Sequence, residues 1–446
     1  MKSYRFLIKF ILLINIGLLI NYNGFSQEIM SLEKALSMTL EENVDIKIKT
    51  NELEQIRNYE KVGALGALPR VILNGSASSL NGNSSLEFAT DNFPSIENER
   101  TESKSINGNI GISYNVFNGL GSIYTFQKLK KQRNLKSIEL LIQIEQILLK
   151  TAKEYFDIAY LQENYKIVKE LLVVSKERYN RIKVLNEFGN ASNLDLLNAE
   201  IDLNKDSINL MNVEFELLDA KNQLNITLNR NIVYDFIVDD KVEINRNLSY
   251  SNLNRQTLNN NNNILLGQYI IDLSKKDKKI NTLSILPNID ISVQYGYNQI
   301  ESNTSLVLDQ STLGLTNFIN FSWDIFDALA KNKITKNSKI QIESNKLELS
   351  AIKKEIEKQF NATYKLYQNN INLIDIRKRN LLTSEKLFAI SKEQFYQGQL
   401  SSNDFREAQI DLSLSKNILN QTLYKAKIAE LNLYRLSGKI LQKTTN

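Results

Sequence analysis

Gly189-Asn190-Ala191-Ser192-Asn193-Leu194-Asp195 returns 209 residues later as Gly398-Gln399-Leu400-Ser401-Ser402-Asn403-Asp404. Glycine, serine and aspartate recur in one order at one spacing, which chance similarity between two helical segments does not readily supply. Downstream, Ala199, Ile201, Asp202 and Leu203 meet Ala408, Ile410, Asp411 and Leu412 at the same offset. Upstream, Tyr114-Asn115-Val116-Phe117-Asn118 meets Trp323-Asp324-Ile325-Phe326-Asp327. Further upstream the offset becomes 218, where Leu68-Pro69 meets Leu286-Pro287 and Asn43 meets Asn261. The chain is therefore written twice. The change of offset gives the first copy the longer loop between its Leu-Pro pair and its aromatic motif, and such insertions belong at exposed hairpin tips.

Each copy has the same expected order. A helix runs from about 32 to 65, and again from about 264 to 283. A Leu-Pro pair ends it, because proline disfavours helix at the residue before it. Two alternating segments follow, expected as strands at about 69–80 and 106–118, then at about 287–300 and 312–326. Val71, Leu73, Gly75 and Ala77 share one face in the first copy, and Ile289, Ile291, Val293, Tyr295 and Tyr297 do so in the second. Period two with β-branched and aromatic residues reads as strand. The polar stretch from Ser79 to Ile106, with Pro94, is expected to be a mobile loop.

After the first hairpin comes a helical pattern from Gly119 to Phe188 without proline. At about 1.5 Å per residue it would reach roughly 105 Å. Leu141, Ile144, Leu148, Ala152, Tyr155 and Ala159 form one apolar seam, and Leu140, Ile147, Ile158, Leu161, Tyr165, Val168 and Leu172 a second. Two seams suit a helix with a neighbour on each side. The expected divisions are 1–26, 27–228 for the first repeat, 229–263 between the repeats, 264–438 for the second repeat and 439–446 as a tail. The inter-repeat segment carries a strand-like run from Ile232 to Val238 and ends in an Asn259–Asn263 tract expected as a loop.

Residues 1–26 read as a cleaved secretory signal. Lys2, Arg5 and Lys9 precede an apolar run from Phe10 to Ile20, and Gly24-Phe25-Ser26 supplies small residues before a cut at Gln27. Removing three basic residues takes the formal charge from +5 to +2. A near-neutral mature chain gives no reason to expect nucleic acid as a partner. The 446 residues contain no cysteine and no histidine. That removes Cys and His nucleophiles, a His base and the usual zinc ligands, and with them disulfides and an acylated cysteine. No catalytic, cofactor or metal residues are expected.

No other segment has 18 consecutive apolar residues, so membrane crossing after export would require strands. Four strands per chain cannot close a membrane barrel, whose lower limit is about eight, whereas three chains would give about twelve.

These features together resemble the TolC family of outer-membrane efflux proteins, over nearly all of the mature sequence. Carriers of the resemblance are Ser31-Leu32-Glu33-Lys34-Ala35-Leu36, the Leu-Pro entries, the exits Val116-Phe117-Asn118-Gly119 and Trp323 to Asp327, and the two glycine turns. The resemblance implies a mainly α chain with a transmembrane β part. Its duplicated helix–β-hairpin–helix repeat would form a trimeric twelve-stranded outer-membrane β-barrel, continued by a long periplasmic α-helical barrel. It implies a homotrimer in outer-membrane lipid, a periplasmic adaptor (membrane fusion) protein, and an inner-membrane RND or ABC transporter, as in tripartite efflux or type I secretion. The chain would conduct passively, without cofactor. A pore-free periplasmic coiled-coil scaffold, or the adaptor itself, is the alternative. Alternating hairpins argue against the first, and two copies of helix–hairpin–helix against the second.

The resemblance also assigns sites. The turns would be periplasmic tips, contacting the adaptor through Phe188, Gly189, Asn190, Gln397, Gly398 and Gln399. Ser192 or Asn193, and Ser402 or Asn403, are candidate N-caps. Asp404 and Glu407 lie three apart on one helix face. Rings of them in a trimer would favour cations at a constriction, although acids near a helix N-terminus are favoured in any case. Asp195 holds the matching place in the first copy. Family members close the entrance with a Tyr three before the second glycine and an Arg two after it. This chain has Phe395 and Leu400 there, which cannot make those hydrogen bonds. Tyr396 and Arg406 are nearby substitutes. Tyr114, Tyr295, Tyr297 and Trp323 are candidate membrane-girdle aromatics.

Overall fold

The structure, a computed structural model, describes residues 28–61, 68–87, 95–304 and 307–441. The expected signal at 1–26, Pro94 and the last five residues of the tail lie outside them. The elements run β1 (Glu28–Met30), α1 (Leu32–Glu42), α2 (Val44–Tyr59), β2 (Arg70–Leu86), β3 (Ile96–Asn118), α3 (Gly121–Glu187) and α4 (Asn193–Thr227). Then follow β4 (Phe236–Val238), α5 (Tyr250–Asn260), α6 (Asn262–Leu283), β5 (Asn288–Ser302), β6 (Asp309–Ser322), α7 (Ala330–Tyr396) and α8 (Ser402–Leu436).

The duplication is visible residue for residue. Adding 209 to the bounds of α3 and α4 gives those of α7 and α8, and adding 218 to α1 gives α5. The second copy therefore begins near Tyr250, not Ile264. The expected single helix from 32 to 65 is two helices, and the asparagine tract is helix on both sides of Asn261. One residue type explains both corrections. Asn43 Oδ1 accepts the N–H groups of Asp45 and Ile46 at 3.0 and 3.3 Å, and Asn261 Oδ1 accepts that of Asn263 at 3.0 Å. A side chain that caps the next helix ends the previous one with a bend instead of a loop.

The chain divides into two compact units. The first comprises residues 1–46, 144–257 and 358–446, and the second 47–143 and 258–357. In the first unit, β1 pairs in parallel with β4. The expected strand from Ile232 shrinks to Phe236–Val238, because Asn231 to Tyr234 close a turn. The other side of β4 is satisfied by Gln162, whose amide donates to the Val238 carbonyl and accepts its N–H, at 3.0 and 2.9 Å. The Tyr155 hydroxyl donates to the Met30 carbonyl at 3.0 Å and accepts from the Asp239 N–H at 3.1 Å. Around these sits an apolar core including Met30, Leu36, Leu148, Phe156, Leu224 and Phe236.

The second unit holds a four-stranded antiparallel sheet in the order β2-β3-β5-β6. β2 and β3 extend well beyond the expected 80 and 106, so most of the Ser79–Ile106 loop is strand. Ser, Asn and Gly there are polar on both faces and hide the alternation. β6 ends at Ser322 instead of 326. Beyond it the chain turns through Ala328 and Leu329, both at positive φ, and Asp327 accepts the Lys331 N–H at 2.8 Å to start α7. The same turn in the first copy runs through Gly119 and Leu120, again at positive φ.

Candidate functional site

The sheet has two unlike faces. Leu73 pairs with Ile110, Ile110 with Tyr295 and Tyr295 with Leu315, placing four apolar side chains in one row. The adjacent row, Asn74, Asn109, Gly296 and Gly314, lies on the opposite face and is polar or bare. On that face Asn74 donates to Asn109 at 3.1 Å and Asn115 to Asp290 at 2.7 Å. A Cβ on Gly296 would lie 2.7 Å from Asn109 Cβ, so glycine lets the asparagine lie flat on the sheet. Among the described residues β2 and β6 each have one unpaired edge. Such edges are not left open in lipid, where each unsatisfied backbone group costs several kcal/mol. No described helix is long and apolar enough to cross a membrane.

The four girdle candidates are on or beside the apolar face and all are exposed. They fall at two levels. Tyr114 pairs with Ile291 near the start of β5, while Tyr297 is six residues further along it. Trp323 lies just past β6, and its indole N–H donates to the Ile285 carbonyl at 3.1 Å.

The two glycine turns belong to the first unit. Gly189 and Gly398 sit at φ +76° and +78°, with nothing near the position of a Cβ. The Asn190 N–H closes back on the Leu185 carbonyl at 2.7 Å and that of Gln399 on Gln394 at 2.9 Å. Both turns are thus left-handed helix stops of the Schellman type. Ser192 caps α4 in a reciprocal box with Asp195. Ser401 caps α8, accepting the Asp404 N–H at 3.2 Å and donating to its carboxylate at 2.7 Å. The second cap is therefore Ser401, not Ser402 or Asn403, as the offset from Ser192 requires. Phe188 is 77% exposed, and Asn190, Gln397, Gly398 and Gln399 are exposed with it. Asp404 and Glu407 are also exposed, and Asp195 is half-buried.

Phe395 is buried and stacks on Phe405, with ring centroids 4.6 Å apart and planes 9° from parallel. Leu400 packs on the same cluster. These two residues make an apolar knot where hydrogen-bonding side chains were the family's expectation. Tyr396 and Arg406 both make polar contacts between helices. The Tyr396 carbonyl accepts from Arg181 at 2.6 Å and its hydroxyl donates to Glu177 at 3.3 Å. Arg406 grips Asp206 with both terminal nitrogens, at 2.6 and 2.7 Å.

That grip is part of a network the sequence did not reveal. Arg178 is 1% exposed and donates to Asp202 at 2.6 Å and to the Ser402 carbonyl at 3.2 Å. Ser175 Oγ donates to Asp206 and receives Arg406 and Gln409, at 3.0 and 2.7 Å. Burial draws the Arg178 pKa below its ordinary value, and Asp202 opposes that shift. Arginine stays charged nonetheless. Two cations and two anions thus tie α3 and α4 of the first copy to α8 of the second. One signal could have exposed them. Val168, Leu171, Ser175, Arg178 and Ile182 follow three-and-four spacing, so a serine and an arginine interrupt an otherwise apolar seam.

Residues 35–230 match the family model described as outer membrane efflux protein. No curated protein matches the chain by sequence. Solved structures do match by fold. The CmeC outer membrane channel of Campylobacter jejuni aligns with a TM-score of 0.74 at 15% identity, over 92% of this chain and 86% of that one. The outer membrane protein VceC of Vibrio cholerae gives 0.69 at 12% identity, over 92% and 96%. The open state of the MtrE outer membrane channel of Neisseria gonorrhoeae gives 0.68 at 13% identity, over 92% and 89%. Residues 35–230 therefore belong to the outer membrane efflux protein family, and the chain as a whole has the fold of outer-membrane channels.

Proposed function

We propose that three copies of this chain form the outer-membrane duct of a tripartite efflux or type I secretion system, passing substrates outward without chemical change. The observation that carries this reading is a four-stranded sheet with one apolar face, one polar face and two unpaired edges. Joining β6 of one copy to β2 of the next removes every edge. Two copies would give about eight strands, whose interior fills with side chains, whereas about twelve leave a channel. The girdle supports the same arrangement. From the level of Trp323 to Tyr297 is about ten residues, or roughly 33 Å along the strand. A tilt of about 40° reduces that to roughly 25 Å, the height of a barrel's apolar band.

In this reading the exposed tip residues meet a periplasmic adaptor that links the duct to an inner-membrane RND or ABC transporter. Asp404 and Glu407 ring the entrance. Phe395, Leu400 and the Arg178–Asp202–Arg406–Asp206 network hold each protomer's tip helices together. The test is a planar-bilayer recording from the purified protein, with its mass in mild detergent measured in parallel. A trimer with cation-selective conductance is expected. A monomer without conductance contradicts the duct. Glu407→Ala, which removes an exposed acid with no capping role, should lower the cation preference, and unchanged selectivity removes the acidic ring.

A further inference from the structure

Three of the four helix ends adjoining the sheet carry a charge the rest of the chain does not share; the fourth, at the end of α2, carries acids, of which Glu60 and Glu52 hold Arg133 and Lys136 at 3.1 and 3.2 Å. Residues 121–136 of α3, 272–283 of α6 and 330–342 of α7 contain thirteen Lys and Arg against two Asp. Taking these from the chain's 55 basic and 50 acidic residues leaves 42 and 48, so the remainder is net acidic. Both aspartates are already engaged. Asp277 holds Lys128 at 2.6 Å, and Asp272 holds Lys131 and Lys275 at 3.4 and 3.1 Å. Lys331 is held by Asp324 at 3.1 Å. Lys333, Lys336 and Lys339 have no carboxylate partner among the described residues and are exposed. Lys130, Lys276, Lys278 and Lys279 likewise have none, and of these Lys130 and Lys279 are exposed.

Position gives the charge a partner. Lys333 to Lys339 occupy the first ten residues of α7, within about 14 Å of its start. That start follows the exposed apolar run Trp323, Ile325 and Phe326, which are 52, 84 and 81% exposed. Headgroups occupy several Å beyond the hydrocarbon core, and lysine stems reach several Å along an apolar surface to set their ammonium groups there. Anionic headgroups attract each such lysine appreciably, and the attraction is screened by salt. Resting on the barrel reading above, we infer that these lysines form a cationic collar binding the phosphate headgroups of anionic phospholipids in the leaflet at the helix-proximal edge of the sheet. Lipid is preferred over cell-wall carboxylates because the collar is continuous with the membrane-facing aromatics.

Trp323 is the only tryptophan in the chain, and it reports on this level of the sheet. The full-length protein is reconstituted in phosphatidylcholine vesicles containing brominated phosphatidylglycerol or brominated phosphatidylcholine, and quenching of Trp323 is compared. Brominated phosphatidylglycerol should quench with a relative binding constant of about three or more at low salt, falling towards one at about 0.5 M salt. A variant with Gln at 276, 278, 279, 333, 336 and 339 should lose the preference at low salt, while Arg at the same six positions retains it. Equal quenching of the wild-type protein by both lipids overturns the collar but leaves the barrel standing. Absence of quenching by either lipid overturns the barrel reading itself. Lysine-dependent binding to purified cell-wall sacculi with no lipid preference assigns the charge to the wall and overturns the lipid proposal.

Discussion

The two helical hairpins of the chain, α3–α4 and α7–α8, have the same lengths and the same glycine turns but different interiors. In the first, Ser175 bonds to Asp206, and Arg406 and Arg178 complete a buried ionic network. At the positions 209 residues later, Ser384 bonds to Ser415 at 2.9 Å, and Leu387 takes the place of Arg178. Asp411, the counterpart of Asp202, is exposed. Duplication thus preserved what fixes the backbone, namely cap, turn and helix length. It released what fixes neighbours. The second hairpin has Leu387 and Ser415 in place of Arg178 and Asp206, and it supplies Arg406 and Gln409 to the network of the first.

The sharpest way to break this comparison is to remove a charge from one hairpin and its neutral counterpart from the other. Asp206→Ala leaves Arg406 and Arg178 buried with half their compensation, and should cost about 3–5 kcal/mol. Ser415→Ala should cost about 1 kcal/mol or less. Denaturant midpoints of the two variants measure the difference, and equal losses would show that the network carries no special weight. The turns should behave alike. Ala at Gly189 or at Gly398 meets no atom but must adopt a left-handed backbone, for about 1–2 kcal/mol at either site. Unequal losses, read from thermal melts, would mean that one turn is not the free turn drawn here. Ser192→Ala and Ser401→Ala should each cost about 1 kcal/mol, visible as fraying of α4 and α8 by amide exchange.

The smallest effect is the pH dependence contributed by one buried acid of the second copy. Glu430 is buried, which raises its carboxyl pKa above the ordinary value; its counterpart, Lys221, pairs with Asp235 at 2.6 Å. Because the folded pKa lies above the unfolded one, the folded state binds the extra proton in the window between them. Stability from this group therefore rises as pH falls through the folded pKa and levels below the unfolded value. Glu430→Gln should flatten the wild-type stability profile on that acidic limb. A variant profile parallel to the wild type would remove Glu430 as its source.

These differences also explain what was legible in the sequence. The glycine turns, the Leu-Pro entries and the aromatic exits are set by local chemistry, and local chemistry survives in both copies. The long β2–β3 hairpin was hidden because Ser76, Ser78, Asn81 and their neighbours are polar on both faces, so period two has no contrast. The bend at Asn261 reads as a loop in the sequence because an asparagine-rich tract has low helix propensity, yet one capping asparagine suffices. The ionic network joins positions separated by 200 residues or more, such as Asp206 and Arg406, and no local pattern announces such a pair. The one local signal is the misfit of Ser175 and Arg178 in an apolar seam.

The central claim is that the free edge of β6 in one copy pairs with β2 in the next. The chain has no native cysteine, so a disulfide scan has no background. Ser76→Cys on β2 is combined in turn with cysteine at Thr312, Gly314 or Thr316 on β6, and the oxidised membranes are run on a denaturing gel. Covalent species that stop at three chains, for at least one register, are predicted. Chains that remain single across the whole scan, or a ladder that continues past three, would contradict the closed twelve-stranded barrel.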